Sequence, residues 1–141
     1  MRSRVNYDDV ADGYNRRFDA SPMEKIGAAL KNLVREENAK KVLEAGCGTG
    51  HWLEQLSGAG RFILGVDPSM GMLGEARKGG AAVRVQRGMA ENLPFASGSV
   101  DLVYVVNALH HFKDRKGFIV EAGRVLREDG VLAVIGSDPH D

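Results

Sequence analysis

The chain has 141 residues, 43% hydrophobic and 27% charged, which suits one domain with a real core. Lys plus Arg equals Asp plus Glu at 19 each, so the net charge is zero and nothing in the composition offers the basic face that a nucleic-acid backbone needs. One cysteine excludes an internal disulfide framework, and neither a spanning apolar run nor a signal core appears, so a cytoplasmic protein without a nucleic-acid or membrane partner is expected.

Residues 1–20 are polar with scattered aromatics, and Tyr7, Tyr14 and Phe18 recur at a spacing that one helical face can carry. Ser21, Pro22 and Glu24 form a helix start, with the serine as cap and the proline at the first helical position. Ile26, Leu30, Leu33 and Val34 then fall on one stripe, and Asn38 is the expected stop.

From residue 41 the period changes. Lys41 to Ala45 reads as a short buried strand, 51–57 as a short helix, and Phe62 to Val66 as a second strand ending at Asp67. Pro68 and Ser69 open a helix with Met70, Leu73 and Ala76 inward, ended by Gly79-Gly80 and weakened by Gly71 and Gly74. Residues 82–87 alternate as an edge strand does, and Val100 to Val106 is nearly all apolar, as a central parallel strand is. A helix over 114–126 places Phe118, Ala122, Val125 and Leu126 inward; a turn at Asp129-Gly130 leads to a fifth strand, Val131 to Ile135. Strands alternating with helices imply a doubly wound α/β fold with a mainly parallel sheet, and no internal repeat is present.

One segment carries chemistry. Glu44-Ala45-Gly46-Cys47-Gly48-Thr49-Gly50 lies between a strand and a helix, and its alternating glycines let the backbone turn sharply and approach a ligand. The helix that follows offers unpaired N–H groups to an anionic part of that ligand. Asp67, 21 residues after Gly46, ends the next strand, where an acid accepts hydrogen bonds from ribose hydroxyls in this kind of fold.

With these elements in order, the sequence resembles the class I methyltransferases that use S-adenosylmethionine (SAM), especially the small-molecule and quinone type. VLEAGCGTG at 42–50, GVDPSMGML at 65–73, GMAENLPF at 88–95, SVDLVYVVNALHHF at 99–112 and EAGRVLREDGVLAVI at 121–135 match successive family motifs. The resemblance implies a Rossmann-like sheet of five strands in the order 3-2-1-4-5, with SAM as cofactor and a small-molecule methyl acceptor as partner. It implies two parts: an N-terminal helical segment, 1–38, that serves as cofactor lid, and a SAM-binding domain, 39–141. Glu44 and the loop at Gly46, Cys47 and Gly48 would hold the methionine part, and Asp67 with Pro68 the ribose side. Met70, Met89, Ala90 and Glu91 would surround the adenine, Asn107 would border the reacting methyl, and Tyr14 would close over the cofactor. No catalytic residue is assigned by it.

Two departures stand out. Family members often carry an acid where this chain has Met89, which cannot bond the adenine amino group. They usually continue past the fifth strand with a helix and a reversed strand pair, so a C-terminally truncated form is expected. Its fifth strand would then be a bare edge, open to homodimer pairing. Cys47 reads as a small packed residue and Trp52 as helix-to-sheet packing. His110 and His111 could act as base or in packing, and without a third ligand no metal site is expected. A nicotinamide-dependent dehydrogenase is disfavoured, because its fingerprint is G-x-G-x-x-G and the loop here is GCGTG. Asn107-Ala108-Leu109-His110 likewise lacks the Asn/Asp-Pro-Pro-aromatic run of nucleic-acid amino-methyltransferases. The alternative to an enzyme is a non-catalytic module or partner subunit that binds SAM or S-adenosylhomocysteine.

Overall fold

The structure, a computed structural model, describes residues 2–5, 21–58, 60–79 and 84–136. Among the described residues six strands form one sheet: β1 (Arg2–Val5), β2 (Lys41–Ala45), β3 (Phe62–Asp67), β4 (Arg84–Arg87), β5 (Val100–Val106) and β6 (Leu126–Ile135). Four α-helices accompany them among the same residues: α1 (Pro22–Glu36), α2 (His51–Leu56), α3 (Met70–Arg77) and α4 (Arg115–Val125). The order across the sheet is β1-β6-β5-β2-β3-β4, and every pairing is parallel. The five expected strands keep their 3-2-1-4-5 order within it.

Local chemistry explains most of the helix ends. The Ser21 hydroxyl accepts the Glu24 N–H at 3.1 Å, and Pro22 opens α1. Beyond the end of α1, Asn38 takes a left-handed conformation, φ 50°. Ser69 caps α3 through the Met72 N–H at 3.2 Å, and Asp114 caps α4 through the Gly117 N–H at 2.9 Å.

The central strands of the sheet are buried on both faces, which is why they are runs of Val, Leu and Ile. On one face Ile26, Leu30, Leu33 and Val34 of α1, Trp52, Leu53 and Leu56 of α2 and Leu73 of α3 pack on Val42, Ile63, Leu102, Tyr104, Val131 and Ala133. On the other, Phe118, Ala122 and Val125 of α4 cover Leu43, Val103, Val105, Leu132 and Val134. Truncating Phe118, fully buried there, would cost about 3–5 kcal/mol. Among the described residues no helix is long and apolar enough to cross a membrane.

Three expectations need correction. The fifth strand is not a bare edge: Arg2–Val5 pair with it, Arg2 opposite Val131 and Val5 opposite Val134. Residues 2–5 therefore belong to the sheet and not to a helical segment, and the reason for expecting a dimer through that edge falls away. The strand begins at Leu126, directly after α4, and does not wait for a turn at Asp129-Gly130. Its pairing jumps from Leu126 opposite Val100 to Val131 opposite Leu102, so the intervening residues bulge out. Met70 is not inward but 57% exposed, because only Leu73 and Ala76 of α3 face the sheet. Tyr7, Tyr14 and Phe18 lie outside the described residues.

Candidate functional site

The site lies beyond the C-terminal ends of β2, β3 and β5, where a doubly wound sheet leaves a crevice at the reversal of strand order. β2 and β5 are neighbours, yet the chain leaves them in opposite directions, toward α2 on one face and α4 on the other.

The glycine loop is shaped by its backbone. Gly46, Gly48 and Gly50 have φ of 72°, 55° and 81°, a region that costs other residues roughly 1–2 kcal/mol each. Gly46 and Cys47 both donate their N–H to the Val66 carbonyl, at 2.8 and 3.0 Å, which folds the loop across the end of β3. A side chain at Gly46 would come within 3.2 Å of Ala108 and 3.3 Å of Phe112. Behind the loop, a Cβ on Gly65 would stand 2.6 Å from Cys47 Sγ and 2.5 Å from Leu53 Cδ1. Gly65 is thus the floor on which the loop rests.

Asp67 ties this loop to the next helix. One carboxylate oxygen accepts the Gly48 N–H at 3.0 Å and the other accepts the Ser69 N–H at 2.9 Å. The carboxylate still reaches a cavity of about 340 Å³. Gly46, Pro68, Met89, Ala90 and Glu91 share its walls with Asp67, and so do Val66, Gly88, Ala108, His111, Phe112 and Lys113.

The segment that borders this cavity between β4 and β5 is held from α4. Leu93 N–H donates to Glu121 at 2.7 Å, and Arg124 donates to Glu121, to the Leu93 carbonyl and to Ser97. The Arg124 hydrogen bond holds the Glu121 carboxyl below its ordinary value. Glu91 accepts the Asp114 N–H at 3.2 Å, so the start of α4 is fixed to the cavity wall.

Of the residues singled out in the sequence, the structure gathers Gly46, Asp67, Pro68, Met89, Ala90 and Glu91 around the cavity. Glu44, Cys47, Gly48, Met70 and Asn107 are not among its walls, and Tyr14 lies outside the described residues. Glu44 is 2% exposed and turned to Tyr104, whose hydroxyl donates to it at 3.0 Å. Burial, above all, raises the Glu44 carboxyl well above its ordinary value, against the pull of that hydrogen bond. Burial likewise pushes the Cys47 thiol up to about 12, so it is a packed thiol and not a nucleophile. Asn107 stands just past β5 with φ 53°, its N–H donated to the Ile135 carbonyl at 2.8 Å. His110 and His111 lie on a single 3-10 turn, Leu109–His111, and only His111 reaches the cavity. Phe112 and Lys113 were not foreseen there. The signal was available, since any segment that follows a central strand end passes the crevice.

The comparisons with known proteins agree with this geometry. A family model described as a methyltransferase domain matches residues 43–134. Malonyl-[acyl-carrier protein] O-methyltransferase of Pectobacterium atrosepticum is 37% identical over 107 residues, which is 76% of this chain and 42% of that protein. An uncharacterized methyltransferase of Bacillus subtilis, YcgJ, is 38% identical, over 96% of this chain and 55% of its own. Its crystal structure superposes with a TM-score of 0.65 at 33% identity, covering 74% of this chain and 49% of that one. A possible histamine N-methyltransferase from Thermotoga maritima superposes equally well, at 0.65 and 36% identity, covering 77% and 48%.

A doubly wound sheet with a glycine loop and an acid at the next strand end is the mark of a nucleotide-type cofactor domain. The chain belongs to the class I SAM-dependent methyltransferase family, and the cofactor of that family is SAM. It spans about half the length of the curated relatives it matches. The residues present fit that cofactor: the loop is open at Gly48, where a Cβ would meet nothing within 4 Å, and a carboxylate waits at the strand end beside an apolar wall.

Proposed function

We propose that this chain is the cofactor-binding part of an enzyme that transfers a methyl group from SAM to a small-molecule acceptor, in the cytoplasm as composition suggests. The observation that carries the reading is Asp67, placed at once against the glycine loop, the start of α3 and the cavity.

In this reading Asp67 accepts the ribose hydroxyls, while Pro68, Met89 and Ala90 flank the adenine and Glu91 closes its edge. The backbone at Gly46, Cys47 and Gly48 receives the methionine part, with Glu44 behind it. Asn107 borders the reacting methyl, Met70 stands at the adenine side of the mouth, and Tyr14 closes from the N-terminal segment. When bound, SAM supplies an electrophilic methyl group. The chain's own contribution is to fix the cofactor and to dry the approach with Ala108 and Phe112. His111 and Lys113 line the acceptor side of the same cavity. A general base is needed only for an acceptor that must lose a proton, and none is assigned.

The test is calorimetric titration with SAM and S-adenosylhomocysteine, followed by methyl transfer to a panel that begins with acyl-carrier carboxylates and small amines. Saturable binding with labelled product supports the reading. Binding without transfer to any acceptor would make the chain a SAM-binding module.

A further inference from the structure

Glu44 is the one buried charged side chain among the described residues, and its surroundings are specific. In register it stands between Gly65 on β3 and Tyr104 on β5. Gly65 has no side chain, and Cys47 of the glycine loop fills the space above it. Tyr104 is fully buried and gives its hydroxyl to Glu44 at 3.0 Å. The carboxyl therefore lies in the layer beneath the glycine loop, held from the side by a phenol. Asp67, already bound to that loop through Gly48, is close enough to repel it.

We propose that Tyr104 is a positioning residue of the cofactor site: it holds the Glu44 carboxyl beneath the glycine loop, and a cationic ligand seated on the loop is taken up with release of one proton from Glu44 to solvent. This rests on the reading that the loop receives the amino-acid end of SAM. The physical ground is that burial first, and the nearby Asp67 second, make this acid hold its proton more tightly than an exposed one, and a positive charge arriving nearby reverses that. Both that end of SAM and that of S-adenosylhomocysteine carry an ammonium group. Tyr104 favours the ionised form, because its hydroxyl is a donor and a carboxylate is the better acceptor.

S-adenosylhomocysteine, which withstands mild alkali, is the probe, titrated by calorimetry between pH 5.5 and 8.5 in two buffers of different ionisation enthalpy. For the wild-type chain, release of up to one proton and an affinity that tightens by up to about tenfold per pH unit are expected. Glu44→Gln should abolish that release and flatten the profile. Tyr104→Phe should bind about tenfold more weakly near pH 7 and recover at higher pH. An equal loss at every pH in Tyr104→Phe would show a merely structural role and overturn the inference. So would an unchanged slope in Glu44→Gln, which decides the matter even if Tyr104→Phe fails to fold. Wild-type binding without proton release overturns the inference alone; absence of wild-type binding overturns the cofactor assignment and the inference together.

Discussion

Two aspartates stand at opposite ends of the sheet and do similar things. Asp67, at the C-terminal end of β3, accepts the N–H groups of Gly48 and Ser69. Asp101, near the start of β5, accepts those of Lys40 and Lys41 at 2.8 and 3.0 Å, joining β5 to the entry of β2. The difference is on the remaining side. Asp101 is closed off by an ion pair with Arg127, whereas Asp67 faces the cavity. One carboxylate is spent on holding strands in register; the other keeps capacity for a ligand. Backbone hydrogen bonding alone therefore does not single out a candidate acid, whereas an open side toward a cavity does.

That contrast can be broken at several points. The largest effect is expected at Gly65, which supports the loop end alone. Gly65→Val should lower unfolding stability by about 3 kcal/mol in urea titration, because the new side chain collides with Cys47 and Leu53. Gly98, at the other end with φ 67° and open space around it, should lose only about 1 kcal/mol on mutation to Ala. Next comes Asp67→Ala, expected to weaken SAM binding by about a hundredfold, or about 2.7 kcal/mol, in calorimetry. Asp101→Ala should do the reverse: about 2 kcal/mol less stability by denaturant titration, as two N–H groups lose their acceptor, with SAM affinity unchanged.

The smallest expected effect concerns pH and Glu44. Burial raises its folded-state value above the ordinary 4.5, so the folded protein keeps a proton that the unfolded chain gives up. Its contribution favours folding most at acid pH and is lost as pH rises from 4.5 through the folded value. Thermal melts of wild type and Glu44→Gln should therefore diverge with rising pH, the variant gaining relative stability. Parallel profiles would mean that Glu44 is charged in the folded state.

What the sequence made legible follows from how local each signal is. Ser21-Pro22 announced α1, and the glycine run between an apolar strand and a helix announced the loop and placed Asp67 at the next strand end. The burial of Phe118, Ala122 and Val125 was equally plain from helical spacing. Strand alternation also places Glu44 on the face of Val42, the one that α1 and α2 cover. Met70 misled because one hydrophobic residue on a short helix says little about which way it faces. β1 was hidden, since Arg2-Ser3-Arg4-Val5 has a single apolar residue and its partner strand is remote in sequence.

That remoteness has a consequence for how the chain is made. Of the described strands, β1 is made before all the others yet settles late, because Arg2 must await Val131. Closing so large a loop is entropically costly and slow. During synthesis the other described strands can order around β2 while residues 2–5 wait, and their arrival covers the flank of β6 that would otherwise solicit a foreign strand. A late pairing is then also the one that shields the edge of β6 from aggregation.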